Sequence, residues 1–218
     1  MAPNECYHIL NRGNNKQIIF NDDGDRIRFL SLALLFQAPI TIPNIRRTLF
    51  SVQHPMLNNI ENDTIHQIIM NRYAELQCFV LMPNHFHLLV HEIKDGGISK
   101  YMQRVLNAYT KYFNIKYGVS GHLFQGSYKA VHINNNEQLL YLSTYIHRNP
   151  RELTNWKNKE HLYPWSSYQD YIGNNRWGKL LEQDLIRKQF KSTKEYQKFN
   201  DTSMAKTINF ADSGLLLD

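Results

Sequence analysis

The alternation of apolar and polar positions is clearest from Leu81 to Val90, where apolar residues surround two histidines separated by a single phenylalanine. β-Forming residues lead into this stretch, so the pattern predicts a strand from Ala74 to Met82 and, after Pro83-Asn84, another from His85 to Glu92 that continues or pairs with it. Successive side chains on a strand point to opposite faces. His85 and His87 therefore share one face, and Phe86 packs on the other.

The remaining pattern predicts one domain that alternates strands and helices. Further strands are expected at Cys6–Leu10 and, with a bend at Gly126, at His122–Ile133. Helices are expected at 26–36, 65–70, 98–117 and 138–148, and a basic helix or helix pair at 180–199. This order predicts an α+β fold, a ferredoxin-like antiparallel sheet with helices packed on one face. We expect the domain to span residues 1–172 with a helical insertion at about 38–73, followed by a basic C-terminal extension at 173–218.

Composition limits the class of protein. Hydrophobic residues make up 42% of 218, which excludes wholesale disorder, and no apolar run approaches the roughly 18 residues that would span a bilayer. The N-terminus lacks the pattern of a signal peptide, and Cys6 and Cys78 are too few for a disulfide scaffold or a cysteine-rich zinc site. We therefore expect a soluble cytoplasmic protein with no membrane partner.

The charge balance favours a polyanionic partner. Lys and Arg number 25 against 19 Asp and Glu, which gives a formal charge of +6 and a pI near 9.2. Aromatic residues make up 12% of the chain, and several alternate with basic residues. Such a composition is typical of surfaces that stack bases and neutralise phosphates, although many basic proteins bind no nucleic acid.

Two features of the sequence, a pair of histidines on a strand and a tyrosine-bearing helix face, suggest a common chemistry. Imidazoles at adjacent same-face positions of a strand can converge on a metal ion, although a His-x-His pair can also be two hydrogen-bonded histidines on a polar face. Tyr141, Tyr145 and Asn149 share one face of the helix that precedes Pro150. Two imidazoles and an amide oxygen suit Mg²⁺ or Mn²⁺ and leave positions open for a phosphodiester oxygen. A nearby tyrosine, once activated, could then attack the phosphorus.

Several motifs carry a family resemblance. They are, in chain order, Tyr7 to Asn15, Tyr112 to Asn114, Gly121 to Lys129, Tyr145 to Pro150 and Tyr163 to Tyr168, together with Pro83 to Val90. With these motifs, which cover most of residues 6–172, the chain resembles the single-tyrosine transposases of the insertion-sequence-200-like superfamily, especially the repeat-associated tyrosine transposase branch. The resemblance implies a ferredoxin-like nuclease that nicks and rejoins single-stranded or hairpin DNA through a 5′-phosphotyrosine and a divalent metal, Mg²⁺ or Mn²⁺.

The resemblance also implies roles for individual residues. His85 and His87 correspond to metal ligands, Tyr145 to the nucleophile, and Asn149 to a third ligand where other members use glutamine. Tyr141 and Tyr109 are rival tyrosines, although the helical pattern places Tyr109 in the core. Basic and aromatic candidates for DNA contact, each of which solvation or core packing could also explain, are Arg12, Lys100, Arg104, Lys111, Phe124, Tyr128, Lys129 and Arg148.

Other functions stay open at this point. The same nicking fold could process repeats for the host without transposing, and a catalytically silent relative could only bind nucleic acid. A small metallohydrolase that uses water would not need Tyr145. The long excursion before Tyr73 and the segment after Gly173 depart from compact members of the family, so substrate choice and the distinction between monomer and homodimer stay open too.

Overall fold

The computed structural model describes residues 1–42 and 62–203, and an antiparallel four-stranded sheet lies at its centre. The strands are β1 (Cys6–Arg12), β2 (Ala74–Met82), β3 (His85–Glu92) and β4 (Lys129–His132), in the order β2-β3-β1-β4. The α-helices are α1 (Asp23–Leu35), α2 (Asn62–Asn71), α3 (Gly97–Tyr117), α4 (Asn136–Arg148), α5 (Tyr168–Ile172), α6 (Asp184–Arg187) and α7 (Thr193–Thr202). The predicted α+β sheet fold is confirmed, and none of the described helices is long and apolar enough to cross a membrane.

The histidine strand lies in the middle of the sheet. β2 and β3 form a hairpin around Pro83 and Asn84, and β3 pairs on its other side with β1. This pairing places Leu10 opposite His87 and Arg12 opposite His85. Residues paired across a sheet point to the same face, so the β1 side chains at these positions accompany the two histidines.

Helices cover both faces of the sheet, which corrects the prediction that they lie on one. Phe86 packs in a core cluster with α1 and α3, whereas Leu89, on the histidine face, packs with α4. A bulge between Leu76 and Cys78 interrupts the alternation of side chains along β2, so Leu76 and Phe79 face the α1 and α3 layer while Cys78 and Val80 face the α4 layer. Because helices cover both faces of the sheet, both faces of β2 are largely buried, and its sequence does not show the alternation of a strand with one solvent face.

The predicted strand at His122–Ile133 is wrong over its first half. Only β4 pairs regularly, and Phe124 makes an isolated bridge to Gly13. Gly126 has φ +87°, a left-handed conformation that interrupts extended backbone. The segment instead crosses the end of β1, where the Gln125 amide donates to the Arg12 carbonyl.

The aromatic segment after α4 covers the free edge of the sheet. It contains short 3-10 helices and then runs beside β2, where the Leu81 amide donates to the Trp165 carbonyl at 2.9 Å. The Tyr163 hydroxyl donates to the Leu81 carbonyl at 2.7 Å, and the Ser167 amide donates to the Phe79 carbonyl at 3.0 Å. These bonds satisfy backbone groups that an edge strand would otherwise expose.

The C-terminal extension packs on the back of α4. The extension contains two helices, α6 and α7, rather than one, because Ser192 caps the second by accepting a hydrogen bond from the Glu195 amide. The Tyr196 hydroxyl lies 2.7 Å from Nδ1 of His147, which is fully buried on α4. Burial lowers the pKa of His147 to about 3. The helix predicted at 65–70 is confirmed as part of α2, whereas the rest of the insertion at 43–61, and residues 204–218, lie outside the described residues.

Candidate active site

Three aromatic side chains meet on the α4 face of the sheet. The ring centroids of His85 and His87 are 5.1 Å apart, and the rings of Tyr145 and His87 make a T-shaped contact with a centroid separation of 5.3 Å. All three side chains are buried. The two histidines therefore face the helix that carries the predicted nucleophile, on the side of β3 opposite Phe86.

Hydrogen bonds orient both histidine rings through the same ring atom. Nδ1 of His85 lies 2.7 Å from Oδ1 of Asn84, and Nδ1 of His87 lies 2.9 Å from Nε2 of His8. A histidine that binds a metal through one ring nitrogen characteristically engages a second partner through the other. In that arrangement Nε2 of His85 and of His87 would be the ligand atoms.

His8 is a functional candidate that sequence reasoning missed. It is fully buried on β1, its ring stacks on His87 with centroids 5.0 Å apart, and it lies 6.1 Å from the Tyr145 ring centroid. Its sequence neighbourhood shows only a short apolar strand. The available signal was that His8 and Leu10 share one face of β1. This becomes informative only once the pairing of β1 with β3 places Leu10 opposite His87.

The end of α4 brings Tyr145 and Asn149 into the site. Asn135 caps the start of the helix by accepting from the Gln138 amide at 2.9 Å. The helical conformation continues through Asn149, which has φ −55° and ψ −38°, directly before Pro150. Tyr145 and Asn149 are thus one turn apart on the same face of the helix.

The Tyr145 hydroxyl needs activation to act as a nucleophile. Burial, together with the negative charge of Glu152, raises its pKa to about 12. Asn149 and the positive charge of Arg12 act in the opposite direction and lower the pKa. Arg12 is therefore the basic candidate that the fold brings to the tyrosine, from the position opposite His85.

Asn149 is the residue whose surroundings best fit a missing ligand. Its side chain is 1% exposed, and neither its amide nitrogen nor its carbonyl oxygen makes a hydrogen bond of regular geometry within residues 1–42 and 62–203, although the amide lies close enough to the Tyr145 hydroxyl to lower its pKa. An unsatisfied buried amide costs about 1–3 kcal/mol. A divalent cation beside His85 and His87 would satisfy the oxygen, so these residues fit a metal such as Mg²⁺ or Mn²⁺.

The fit of the candidate site to a divalent metal depends on the amide oxygen of Asn149. Among the described residues, no group of three or more His, Cys, Asp or Glu side chains is arranged to hold a metal ion. His85 and His87 supply two ligands of that class, and Asn149 supplies the third donor of the candidate set.

The other predicted DNA-contact residues are dispersed. Lys100, Lys111 and Lys129 are exposed, and Tyr128 is half-buried. Phe124 is part of the hydrophobic core on the α1 and α3 face. The fold does not bring these five side chains together with Tyr145.

Two predicted arginine contacts are engaged within the protein. Arg104 donates to the carbonyl oxygens of Ala38 and Ile40. Arg148 donates to the carbonyl oxygens of Asn200 and Ser203. These bonds give both side chains structural roles that the basic pattern of the sequence did not reveal.

The rival tyrosines lie elsewhere. Tyr109 is buried on the α1 and α3 face, where its hydroxyl donates to the Ile19 carbonyl, so its predicted place in the core is confirmed. Tyr141 packs near Phe199 of α7, with ring centroids 6.3 Å apart.

Comparisons with known proteins agree with the fold. The family model described as "Transposase IS200 like" matches residues 38–149. A solved structure described as a REP-associated tyrosine transposase bound to a REP hairpin has a TM-score of 0.51 and 12% sequence identity, and the match covers 85% of this chain and 89% of that one. No curated protein sequence matches. The structural match shows the fold, and the family model, which covers half of the sequence including His85, His87, Tyr145 and Asn149, shows that the chain belongs to the IS200-like transposase family.

Proposed function

We propose that this transposase nicks and rejoins single-stranded or hairpin DNA through a covalent 5′-phosphotyrosine on Tyr145. The observation that carries the proposal is the contact of Tyr145 with His87, one helical turn before a buried and unsatisfied Asn149. The covalent step needs a hydroxyl, a means of stabilising its phenolate, and groups that hold a phosphate beside it. These requirements correspond to Tyr145, Arg12 and the two histidines with Asn149.

The strand-transfer step balances without an external energy source. The Tyr145 oxygen attacks phosphorus, the bond from phosphorus to the 3′-oxygen of the preceding nucleotide breaks, and the proton lost by the phenol is balanced by one taken up by that 3′-oxygen. The products are a phosphotyrosine at the new 5′ end and a free 3′-hydroxyl. Attack by a 3′-hydroxyl on the phosphotyrosine reverses the chemistry and rejoins a strand without ATP.

The groups around Tyr145 prepare this step. The positive charge of Arg12 stabilises the developing phenolate, which offsets part of the cost of ionising a buried tyrosine. His85, His87 and Asn149 would hold a divalent metal that polarises the phosphoryl group when bound. The hydrogen bond that His85 donates to Oδ1 of Asn84 and the one that His87 shares with His8 hold the two imidazoles in fixed orientations.

Charge and the structural neighbour support hairpin DNA as the substrate, and the contacts of the site residues support a site completed within one chain. The net charge of +6 suits a phosphate backbone, and the structural neighbour is described as bound to a REP hairpin. His85, His87 and Tyr145 come together in a single copy of the chain. We therefore propose cleavage in cis, so that a monomer would be active.

A labelled, hairpin-bearing single strand tests the function. With Mn²⁺ or Mg²⁺ we expect a DNA-protein adduct that survives a denaturing gel, and chelation by EDTA should abolish it because the phosphate loses its polarising ion. Hairpins drawn from repeats beside the gene, with scrambled strands as controls, provide the substrates. DNA binding without an adduct would favour a silent binding protein, whereas cleavage without an adduct would favour hydrolysis by water.

His8 should act as a positioning residue for the metal site. We expect His8→Phe to weaken Mn²⁺ binding by about 10–100-fold, because the ring of His87 loses the partner that orients it. Titration calorimetry measures the affinity, and the thermal midpoint shows whether the variant folds. His91→Phe is the matched control, since that histidine of β3 bonds to Glu75 away from Tyr145. Equal Mn²⁺ affinity in the two variants would contradict this role.

A further inference from the structure

A groove opens beside the candidate active site on the same end of the sheet. It has a volume of about 510 Å³, within the range of small-molecule sites. The residues on which the argument depends are Arg26, Pro83, Leu153, Trp156, Tyr163 and Trp165.

The walls of the groove are continuous with the candidate catalytic residues. Pro83 belongs to the turn that leads into His85, and Leu153 follows Asn149 after one 3-10 helix. Leu153 and Trp156 pack against the same core cluster that contains Tyr145. The groove therefore begins two residues before His85 and four residues after Asn149 along the chain, at the same end of the sheet.

Aromatic side chains dominate the groove and are held rigidly. Trp156 packs edge to face on Tyr163, with ring centroids 5.3 Å apart, and Tyr163 is fixed to Leu81 through its hydroxyl. The backbone of Trp165 is hydrogen-bonded to the edge strand. Both indoles are only partly buried, so flat apolar surface is accessible at fixed positions. Such platforms stack nucleobases.

The charges of the groove favour a base over a phosphate. Arg26 is its cation, and Nη1 lies 3.5 Å from a carboxylate oxygen of Asp23, so the two formal charges offset each other. The Arg26 guanidinium also lies 5.9 Å from the centroid of the Trp165 ring. Its Nε is buried and has no hydrogen-bond partner in the described part of the chain. A neutral heteroaromatic ring suits this combination of exposed stacking surface and offset charges.

We propose that this groove binds one unpaired nucleobase of the DNA strand, next to the phosphate that Tyr145 attacks. The inference rests on the proposed function for its placement, but base binding is separable from cleavage. The groove would fix the strand relative to Tyr145 through a base that is not paired in the hairpin, with Trp156 and Trp165 as the stacking residues.

Abasic scanning of the DNA tests the proposal in the Tyr145→Phe background, where binding is measured without cleavage. Fluorescence anisotropy reports the affinity of a hairpin-bearing strand in which each unpaired nucleotide in turn lacks its base. We expect one abasic position to weaken binding about 5–100-fold, and Trp165→Leu or Trp156→Leu to weaken binding of the intact strand similarly. In either tryptophan variant, the same abasic site should lower the DNA affinity little further, because the stacking contact is already lost.

Control variants keep the result interpretable. Trp165→Phe and Trp156→Phe keep an aromatic surface and should restore most of the affinity, while Phe199→Leu removes a half-buried aromatic outside the groove and should bind normally. The melting temperature of each variant shows that it is folded, and either tryptophan suffices if the other variant does not fold. The proposal is overturned if each abasic position lowers DNA affinity by the same factor in the tryptophan variants as in the Tyr145→Phe parent. It is also overturned if the variants bind the intact strand normally. Absence of any binding to single strands overturns both this proposal and the proposed function. If the abasic effect depends on the tryptophans but the wild-type protein forms no covalent adduct, only the proposed function is overturned.

Discussion

Replacing Tyr145 by phenylalanine should abolish the covalent DNA adduct, with a loss of more than about 1,000-fold in adduct formation. Phenylalanine keeps the ring that packs against His8 and His87 but lacks the attacking oxygen. DNA binding should persist, because the contacts with phosphates and bases do not depend on the phenol. A denaturing gel for the adduct and fluorescence anisotropy for binding, both on the same labelled hairpin strand, measure the two effects.

Tyr141→Phe is the matched control for the nucleophile. Tyr141 lies one turn earlier on the same helix, where it packs near Phe199. This variant should form the adduct at close to the wild-type rate. Adduct formation that persists in Tyr145→Phe and fails in Tyr141→Phe would assign the reaction to the other tyrosine.

Replacing Asn149 by leucine should separate activity from stability. The buried amide of Asn149 makes no hydrogen bond of regular geometry among the described residues, so leucine removes a desolvation cost of about 1–3 kcal/mol. We expect the free energy of unfolding without metal to stay level or rise. Mn²⁺ affinity and adduct formation should fall at least about 100-fold, because a ligand of the metal is lost. Denaturant melts and titration calorimetry provide the two measurements.

Gln37→Leu provides a contrasting buried amide. The side chain of Gln37 donates to the carbonyls of Leu34 and Leu180 and accepts from the Leu76 amide, away from the candidate site. This substitution leaves backbone groups unsatisfied and should lower the free energy of unfolding by about 2–3 kcal/mol. If Asn149→Leu destabilised the protein as much as Gln37→Leu, the amide of Asn149 would be a structural group rather than a metal ligand.

Much of the fold and the core of the candidate site follow from local sequence patterns. The period of two along β3 placed His85 and His87 on the face opposite Phe86, and the period of α4 placed Tyr145 and Asn149 together. Both depend on residues close in sequence, whose relative directions are fixed by the type of secondary structure. The contact between the two elements agrees with these predicted faces.

The rest of the site depends on relationships between distant residues. His8 joins it through the register of β1 against β3, which no local pattern specifies. The placement of helices on both faces is equally hidden, because the nearly continuous apolar run of β2, shifted by the bulge beside Cys78, does not show which layer each residue faces. Arg104 and Arg148 could not be distinguished from surface cations, because their carbonyl partners become neighbours only in the folded chain.

Peptide mapping of the adduct tests the central claim most directly. The wild-type protein is incubated with Mn²⁺ and a hairpin-bearing single strand, the adduct is digested with protease and nuclease, and the modified peptide is sequenced by mass spectrometry. We predict a single modified residue, Tyr145, joined through a phosphodiester to the 5′ end of the cleaved strand. A nucleotide attached to any other residue, or cleaved DNA whose new 5′ ends carry free phosphate throughout the reaction, would contradict the account.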